Sequence, residues 1–319
     1  MKKISIMIPC FNEEENVVPI SKAIMEIMEK ELPEYSYEIV FSDNSSTDKT
    51  RDLIRILCSQ HKHIKAIFNA RNFGQFNSPY HAMLQLDGDC VIGMCCDFQD
   101  PIDLIPRFVQ EWEKGYKIVA AIKTASKENK IMRLLRTCYY HFIKRISDVE
   151  QIEHFTGTGL YDREFLDVLR KLEDPIPFLR GIVAELGYKR KDIAYEQAKR
   201  KAGKTHNNWY SLYDAAMLSF TSYTKIGLRI ATIGGFICSG IGILIALFYL
   251  VYKLLYWDSF ALGIAPVAIG VFVMGSVILF FIGLLGEYVL NINIRLMNRP
   301  LVIEEERINF LEESISCHE

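Results

Sequence analysis

The sequence predicts an α/β domain with a doubly wound, mostly parallel sheet, followed by a two-helix transmembrane hairpin. In the first hundred residues, short apolar runs alternate with segments of helical periodicity, which is typical of a parallel sheet. Near the other end of the chain, residues 230–252 and 259–286 contain no charged side chain. A helix needs about 20 apolar residues to cross the hydrocarbon core of a bilayer, and both stretches are long enough.

The first strand and helix are indicated by an apolar run and the polar segment after it. Residues 4–9 are almost wholly apolar and short, which favours a strand. Residues 12–16 are polar and acidic, as expected of a loop and a helix start. Residues 17–31 place apolar side chains on one helical face, which predicts the first helix.

The next elements repeat this alternation. Residues 38–41 predict a second strand, and the turn-forming and capping residues of segment 42–48 end it. Helical spacing follows at about 49–59, a third strand at 64–68, and a third helix at 79–86.

Polar residues stand where the predicted strands end. Asn12 and Glu13 follow the first strand, Asp43 follows the second, and Asp97 follows a fourth at 90–95. Ligands of open parallel sheets bind at the carboxyl ends of the strands, so this convergence predicts a nucleotide-type site. The glycine-rich motifs of dinucleotide-binding folds and of P-loop NTPases are missing from the sequence.

The segment after the fourth strand offers hard oxygen ligands. Asp97 and Gln99 suit Mg²⁺ or Mn²⁺, which commonly share such ligands with phosphate oxygens. Asp100 is interpreted differently, as the N-cap of a helix whose first residue is Pro101.

Charge and cysteine content restrict the remaining classes. The formal net charge is -2, so no overall field recruits nucleic acid. Basic residues crowd the region before the first apolar stretch and follow the second, which predicts both termini in the cytoplasm. Eight cysteines form no paired framework, as expected of reduced cytoplasmic thiols.

Several short motifs occur along almost the whole chain. They are the segments 8–16, 43–50, 71–74, 97–101, 178–181, 185–188, 200–205, 286–288 and 299–301. In this order, and with the hairpin, they resemble family 2 glycosyltransferases. More narrowly, they are similar to the polyprenol-phosphate glycosyltransferases, which include bactoprenol glucosyltransferases, dolichol-phosphate mannose synthase and undecaprenyl-phosphate aminoarabinose transferases.

The resemblance implies a GT-A fold with a nucleotide sugar across the strand ends. Asp43 would contact the base or ribose, and Pro9, Phe11 and Glu13 would line the same pocket. Simple core packing is the alternative for Pro9 and Phe11. Asn44 stands where the family commonly has a second aspartate, which leaves the preferred base of the donor open.

The resemblance also implies a metal site on the donor diphosphate. Asp97 and Gln99 would hold Mg²⁺ or Mn²⁺, and Arg200 is a candidate for binding the diphosphate. The family often has another aspartate at the position of Cys95, and a neutral thiol is a poor ligand for Mg²⁺. The protein ligands would then be Asp97 and Gln99.

The acceptor of the family is a lipid phosphate. Arg133 and Thr137 are four residues apart and resemble the family's phosphate grip, with Lys123 and Arg136 as weaker candidates. An arginine fork can bind phosphate bidentately. A solvated basic helix is the alternative.

The expected organisation has four parts. Residues 1–210 form a cytoplasmic GT-A domain, 211–228 an interfacial amphipathic helix, 229–290 two transmembrane helices and 291–319 a cytoplasmic tail. The expected location is the bacterial inner membrane, and a homo-oligomer is expected because some family members form tetramers.

The expected activity is inverting, metal-dependent transfer of one sugar to undecaprenyl phosphate for cell-envelope glycan modification. A UDP-sugar is the favoured donor, and a GDP-sugar stays open. A processive polysaccharide synthase is disfavoured because none of the three tryptophans follows Q-x-x-R. The remaining alternative is a degenerate, non-catalytic transferase that binds lipid or a partner, for which Cys95 is the best support.

Overall fold

The computed structural model describes residues 1–125, 152, 154–175, 177–198, 264–297 and 299–310, with isolated helical positions between 217 and 255. The chain divides into two units. The first comprises Met1–His141, Val149–Asn208 and Asn298–Glu319, and the second comprises Phe142–Asp148 and Trp209–Met297. Everything that positions the site belongs to the first unit.

One sheet of eight strands forms the centre of the first unit. The strands are β1 (Lys3–Cys10), β2 (Ser36–Asp43), β3 (Ile64–Asn69), β4 (Cys90–Gly93), β5 (Ile118–Ala125), β6 (Phe155–Asp162), β7 (Arg190–Glu196) and β8 (Glu304–Ile308). Their spatial order is β7-β5-β6-β4-β1-β2-β3-β8. Only β6 and β8 run antiparallel to their neighbours. The predicted mostly parallel sheet is confirmed.

Helices cover both faces of the sheet. The helices in the described part of this unit are α1 (Val17–Glu31), α2 (Thr50–Gln60), α3 (Gly74–Leu84), α4 (Leu104–Glu113), α5 (Arg163–Leu172) and α6 (Leu179–Glu185). Apolar residues of β1 alternate between two cores: Ile6 and Ile8 pack with α1, α2 and α4, whereas Met7 packs with α3, α5 and α6. This period of two explains why the central strands are apolar throughout.

Most predicted elements of the first hundred residues are confirmed, and two helix starts are wrong. The third helix begins at Gly74, so Pro79 lies inside it rather than at its first position. The fourth begins at Leu104 with Asp103 at its N-cap, because residues 102–103 form a turn. Asp100 is therefore not the helix cap that the sequence analysis expected.

In the second unit, the described part of the chain has one helix that could cross a membrane, α7 (Ile264–Met297). Within it, the 18 residues Val277–Ile294 have a mean hydropathy of 1.9. The other predicted span, residues 230–252, falls on a region where only isolated helical positions are described. The two-helix hairpin therefore stays a prediction.

The segment expected to be a cytoplasmic tail contributes the edge strand β8. Glu304 accepts a hydrogen bond from His81 Nε2 at 2.5 Å and pairs with Arg307. Arg307 Nη2 also donates to Gln85 Oε1 at 2.7 Å. Burial raises the pKa of Glu304, but the bonds from His81 and Arg307 outweigh it and lower the pKa to about 2. These bonds tie β8 to α3 as well as to β3.

Replacing Glu304 with glutamine tests this anchor. An acid with a lowered pKa stabilises the fold above its ordinary value of 4.5 and loses that contribution as the pH falls toward 2. We expect E304Q to lower the free energy of unfolding by about 1–3 kcal/mol at pH 7. Urea unfolding followed by tryptophan fluorescence should show this difference narrowing between pH 4.5 and 2. A pH-independent difference would contradict the assignment.

Candidate active site at the carboxyl ends of the strands

The loops after β1 and β2 hold each other at the carboxyl edge of the sheet. Asn12 adopts a left-handed conformation, with φ 56°, and its backbone N–H donates to Ser46 Oγ at 2.9 Å. Its side-chain Oδ1 accepts from Thr47 N at 2.8 Å. Glu13 N donates to Thr50 Oγ1 at 2.8 Å. The two loops therefore form a single platform.

Asp43 ends β2 within this platform and is fully buried. Its Oδ2 accepts from Ser46 N at 3.2 Å and lies 3.1 Å from Arg51 Nε. Within the described part of the chain, its Oδ1 has no hydrogen-bond partner. Burial raises the pKa of Asp43, while the Ser46 bonds and Arg51 oppose that rise. A buried oxygen without a donor is costly, so this atom is suited to a ligand N–H or O–H.

The other three residues expected around a nucleotide lie on the same strand and loop. Pro9 and Phe11 are half-buried at the end of β1, and Phe11 belongs to neither core. Glu13 is buried and accepts a hydrogen bond from Asn16 Nδ2 at 2.6 Å. Both the pocket-lining role of Pro9 and Phe11 and the alternative of core packing stay predictions.

Asn44 organises a neighbouring loop, a role that sequence reasoning missed. Its Nδ2 donates to Asn72 Oδ1 at 3.0 Å and Gly74 O at 3.2 Å. Its Oδ1 accepts from Phe73 N at 2.9 Å and Asn69 Nδ2 at 3.2 Å. The sequence signal for this role was that asparagine stands where the family commonly has a second aspartate. The sequence analysis connected that difference with the preferred base of the donor, not with the structure of the loop.

The candidate metal loop follows β4. Asp97 is buried and its Oδ1 accepts from Gln99 N at 3.1 Å. Between them, Phe98 has φ 59°, which is strained for an aromatic residue. Left-handed residues thus occur after β1 and after β4, and Ser45 after β2 is a third. Such strain is commonly stored at functional sites.

Asp100 anchors this loop to the far side of the sheet. Its Oδ1 accepts from the Tyr195 hydroxyl at 2.7 Å, and its Oδ2 accepts from Thr158 Oγ1 at 2.7 Å. Cys95 N also donates to Oδ2, at 3.3 Å. Its carboxylate is therefore committed to β6, β7 and its own loop, and the loop has a fixed position as a result.

Gln99 lies beside the end of β7. Its backbone O accepts from Ala198 N at 3.1 Å, and its Oε1 accepts from Gln197 Nε2 at 3.4 Å. Arg200 follows Ala198 by two residues but lies outside the described residues. The chain that leads to Arg200 thus passes the candidate metal loop.

The donor chemistry of the loop fits a hard divalent ion. The Asp97 carboxylate and the Gln99 amide are oxygen ligands of the kind that Mg²⁺ and Mn²⁺ prefer. In the described ranges, no three His, Cys, Asp or Glu side chains converge as a ready-made metal centre. Cys95 is exposed on the same loop. A bound ion would therefore need oxygens from a ligand or from water.

Of the basic residues expected at an acceptor phosphate, one is described. Lys123 is half-buried near the end of β5, at the carboxyl edge of the sheet, and its backbone N donates to His154 O at 3.3 Å. Arg133, Arg136 and Thr137 lie outside the described residues. The structure thus brings Asp43, Asp97, Gln99 and Lys123 to one edge.

Comparison with known proteins identifies the class of enzyme. Residues 5–169 match the model of "Glycosyl transferase family 2". The chain belongs to glycosyltransferase family 2 and is a glycosyltransferase, as its motifs predict.

Near-full-length relatives narrow the resemblance. The SfII prophage-derived bactoprenol glucosyl transferase of Shigella flexneri is 30% identical over 94% of this chain and 97% of its own length. The bactoprenol glucosyl transferase of Shigella phage SfV is 29% identical over 96% and 99%. The structure of glucosyl-3-phosphoglycerate synthase from Mycobacterium tuberculosis with Mn²⁺, UDP-glucose and phosphoglyceric acid has a TM-score of 0.45 and 14% identity, covering 69% of this chain and 78% of that one.

The anchoring of Asp100 is tested by Tyr195→Phe. Removing the hydroxyl leaves a buried carboxylate oxygen short of a donor, so we expect the free energy of unfolding to fall by about 1–3 kcal/mol. The matched control is Tyr188→Phe, whose ring packs edge-on against Phe165. Within the described residues, no hydrogen bond of the Tyr188 hydroxyl is seen. Equal effects of the two variants in denaturant titrations would contradict the anchoring role.

Proposed function

We propose that this enzyme transfers one sugar from a UDP-sugar to undecaprenyl phosphate at the cytoplasmic face of the bacterial inner membrane. The observation that carries the proposal is the placement of two buried carboxylates, Asp43 and Asp97, at the same edge of the sheet. Their strands β2 and β4 are separated by β1 alone, so the carboxyl ends of these two strands are about 10 Å apart. A nucleoside diphosphate spans such a distance from base to phosphates.

Asp43 supplies the base-binding end of the donor site. Its unpartnered Oδ1 can accept an N–H of the base or an O–H of the ribose, while Ser46 and Arg51 hold Oδ2. Pro9, Phe11 and Glu13 would line the same pocket. Uracil offers an imide N–H to such an acceptor, so the oxygen is compatible with the proposed UDP-sugar, although guanine also offers N–H donors.

Asp97 and Gln99 supply the diphosphate end. They would hold Mg²⁺ or Mn²⁺, which neutralises the charge that develops on the leaving nucleotide. Arg200, two residues beyond the contact between Ala198 and Gln99, would bind the diphosphate from the same side.

The acceptor assignment rests on the relatives and on the basic residues. Relatives that cover nearly the whole chain are named bactoprenol glucosyl transferases. Arg133 and Thr137 would grip a lipid phosphate, with Lys123 and Arg136 beside them. The apolar helix α7 agrees with an enzyme whose acceptor resides in a bilayer.

The chemistry then needs little proton transfer. An acceptor phosphate oxygen is already anionic at pH 7, so it can attack the anomeric carbon directly. The new carbon–oxygen bond forms as the bond to the nucleotide diphosphate breaks, and attack from the opposite side inverts the anomeric centre. Positioning and electrostatic stabilisation carry such a reaction. The lipid-linked sugar would serve cell-envelope glycan modification, and a homo-oligomer is the proposed assembly.

Asp43→Asn tests the donor site. Loss of the charged acceptor should raise the dissociation constant for UDP about tenfold to hundredfold, because hydrogen bonds to charged groups are the stronger ones. Isothermal titration of the detergent-solubilised chain with UDP and Mn²⁺ measures this. Asp52→Asn is the control, since Asp52 is exposed on α2 and pairs only at 3.5 Å with Arg55. Unchanged affinity in D43N would exclude Asp43 from the base site.

Asp97→Asn tests the reaction itself. We incubate the full chain with undecaprenyl phosphate, Mg²⁺ or Mn²⁺ and a panel of UDP- and GDP-sugars, and detect glycolipid by mass spectrometry. D97N should lower kcat by about 10²-fold or more, because a metal ion contributes several kcal/mol to the transition state.

Asp103→Asn is the matched control for that assay. Asp103 lies six residues further on, is exposed, and makes no side-chain cap bond to α4. It should retain activity within about twofold. Absence of product from every donor, in a folded wild-type protein that binds lipid, would favour the non-catalytic alternative.

A further inference from the structure

Arg51 lies between the base-site carboxylate and the C-terminal strand. Its Nε is 3.1 Å from Asp43 Oδ2, an ion pair without hydrogen-bond geometry, and its Nη2 donates to Glu305 Oε2 at 2.7 Å. Nη2 also lies 3.4 Å from Asn69 O, and the guanidinium stands 5.0 Å from the centre of the Phe68 ring. One planar cation therefore connects two acids that are far apart in sequence.

The arrangement matters because Asp43 has few partners of its own. The carboxylate is completely buried, and its charge is offset by Ser46 and by Arg51. Its Oδ1 has no protein donor in the described part of the chain, so only Oδ2 fixes the orientation of the group. Any movement of Arg51 would rotate the Asp43 carboxylate or remove the cation that offsets its charge. Either change would alter the oxygen that is offered to a ligand.

Glu305 is placed to prevent that movement. It belongs to β8, which pairs with β3, and β3 in turn lies beside β2. Arginine binds in a fixed fork geometry, so occupying Nη2 from one side constrains where Nε can point. Glu305 itself is half-exposed and does not contact Asp43 within the described structure.

We propose that Glu305 is a positioning residue for the donor nucleotide: it orients Arg51, which in turn holds the base-binding carboxylate of Asp43. The inference rests on the proposed donor site and adds to it a strand from the other end of the chain. The edge strand β8 thus contributes to substrate binding as well as to the sheet.

The neighbouring pair provides an internal control. Glu306 Oε2 accepts from Arg55 Nη2 at 2.7 Å, and Arg55 stands 4.7 Å from the centre of the same Phe68 ring. Arg55 is one helical turn beyond Arg51 on α2 and makes no contact with Asp43 in the described structure. Both pairs join β8 to α2, but one alone leads to the base site.

The experiment compares Glu305→Ala with Glu306→Ala in the full chain. The probe is UDP with Mn²⁺, measured by isothermal titration, and the melting temperature is recorded alongside. E305A should raise the UDP dissociation constant about threefold to tenfold, and Glu305→Gln should recover part of the loss because its amide oxygen still accepts from Arg51. E306A should change UDP affinity by less than about twofold. E305A and E306A should change the melting temperature to a similar extent.

A second background separates positioning from general loosening. If Glu305 acts through Arg51, E305A should add less than about a twofold change to Arg51→Lys, because lysine lacks the fork. Equal losses of UDP affinity in E305A and E306A, or full additivity with R51K, would overturn the inference and leave the donor site standing. Failure of the wild-type chain to bind UDP would overturn the proposed donor site, and this inference with it.

Discussion

Backbone polar groups at the carboxyl edge of a parallel sheet have no further strand to pair with, and water reaches them poorly when a site is enclosed. In this enzyme, side chains from adjacent loops satisfy them. Asn12 bonds the loop after β2, Asn44 bonds the loop after β3, and Asp100 accepts from the backbone N–H of Cys95. The Asp100 carboxylate also accepts from the side-chain hydroxyls of Thr158 on β6 and Tyr195 on β7. Each of these loops is thus held in part by its neighbour. That dependence also lets the chain keep strained residues such as Phe98 where a ligand would bind.

The two departures from the family pattern have different physical consequences. Asn44 donates to Asn72 Oδ1 and Gly74 O, which an ionised aspartate could not do, so asparagine is matched to the loop it holds. Cys95 is different, since its backbone N–H donates to Asp100 and its thiol also hydrogen-bonds the Asp100 carboxylate. The thiol therefore also contributes to the loop, and as a neutral group it remains a poor ligand for Mg²⁺.

The first four strands could be predicted because they are short apolar runs whose partners follow closely in sequence. The edge strands could not. β8 has the sequence Glu-Glu-Glu-Arg-Ile, which has no apolar run and is a strand only because it pairs with β3, over two hundred residues away. The same distinction applies to the site. Asp43 and Asp97 could be predicted because they follow strand ends in the sequence. The roles of Arg51 and Glu305 could not be predicted, because they depend on the pairing of β8 with β3. A strand that forms only by pairing with a distant segment shows no periodic pattern in its own sequence from which it could be predicted.

Charge at the edge of the sheet determines what else the reaction needs. Four buried carboxylates, Glu13, Asp43, Asp97 and Asp100, lie in the loops that would receive two anionic substrates. Arg51 and the hydroxyls that bond Asp100 offset part of that charge, but both are already committed to the protein. Bringing a diphosphate and a lipid phosphate together there would be repulsive without added cations. In the proposed reaction, a divalent ion at Asp97 and basic groups such as Lys123 would offset that repulsion, independent of any need to activate a nucleophile.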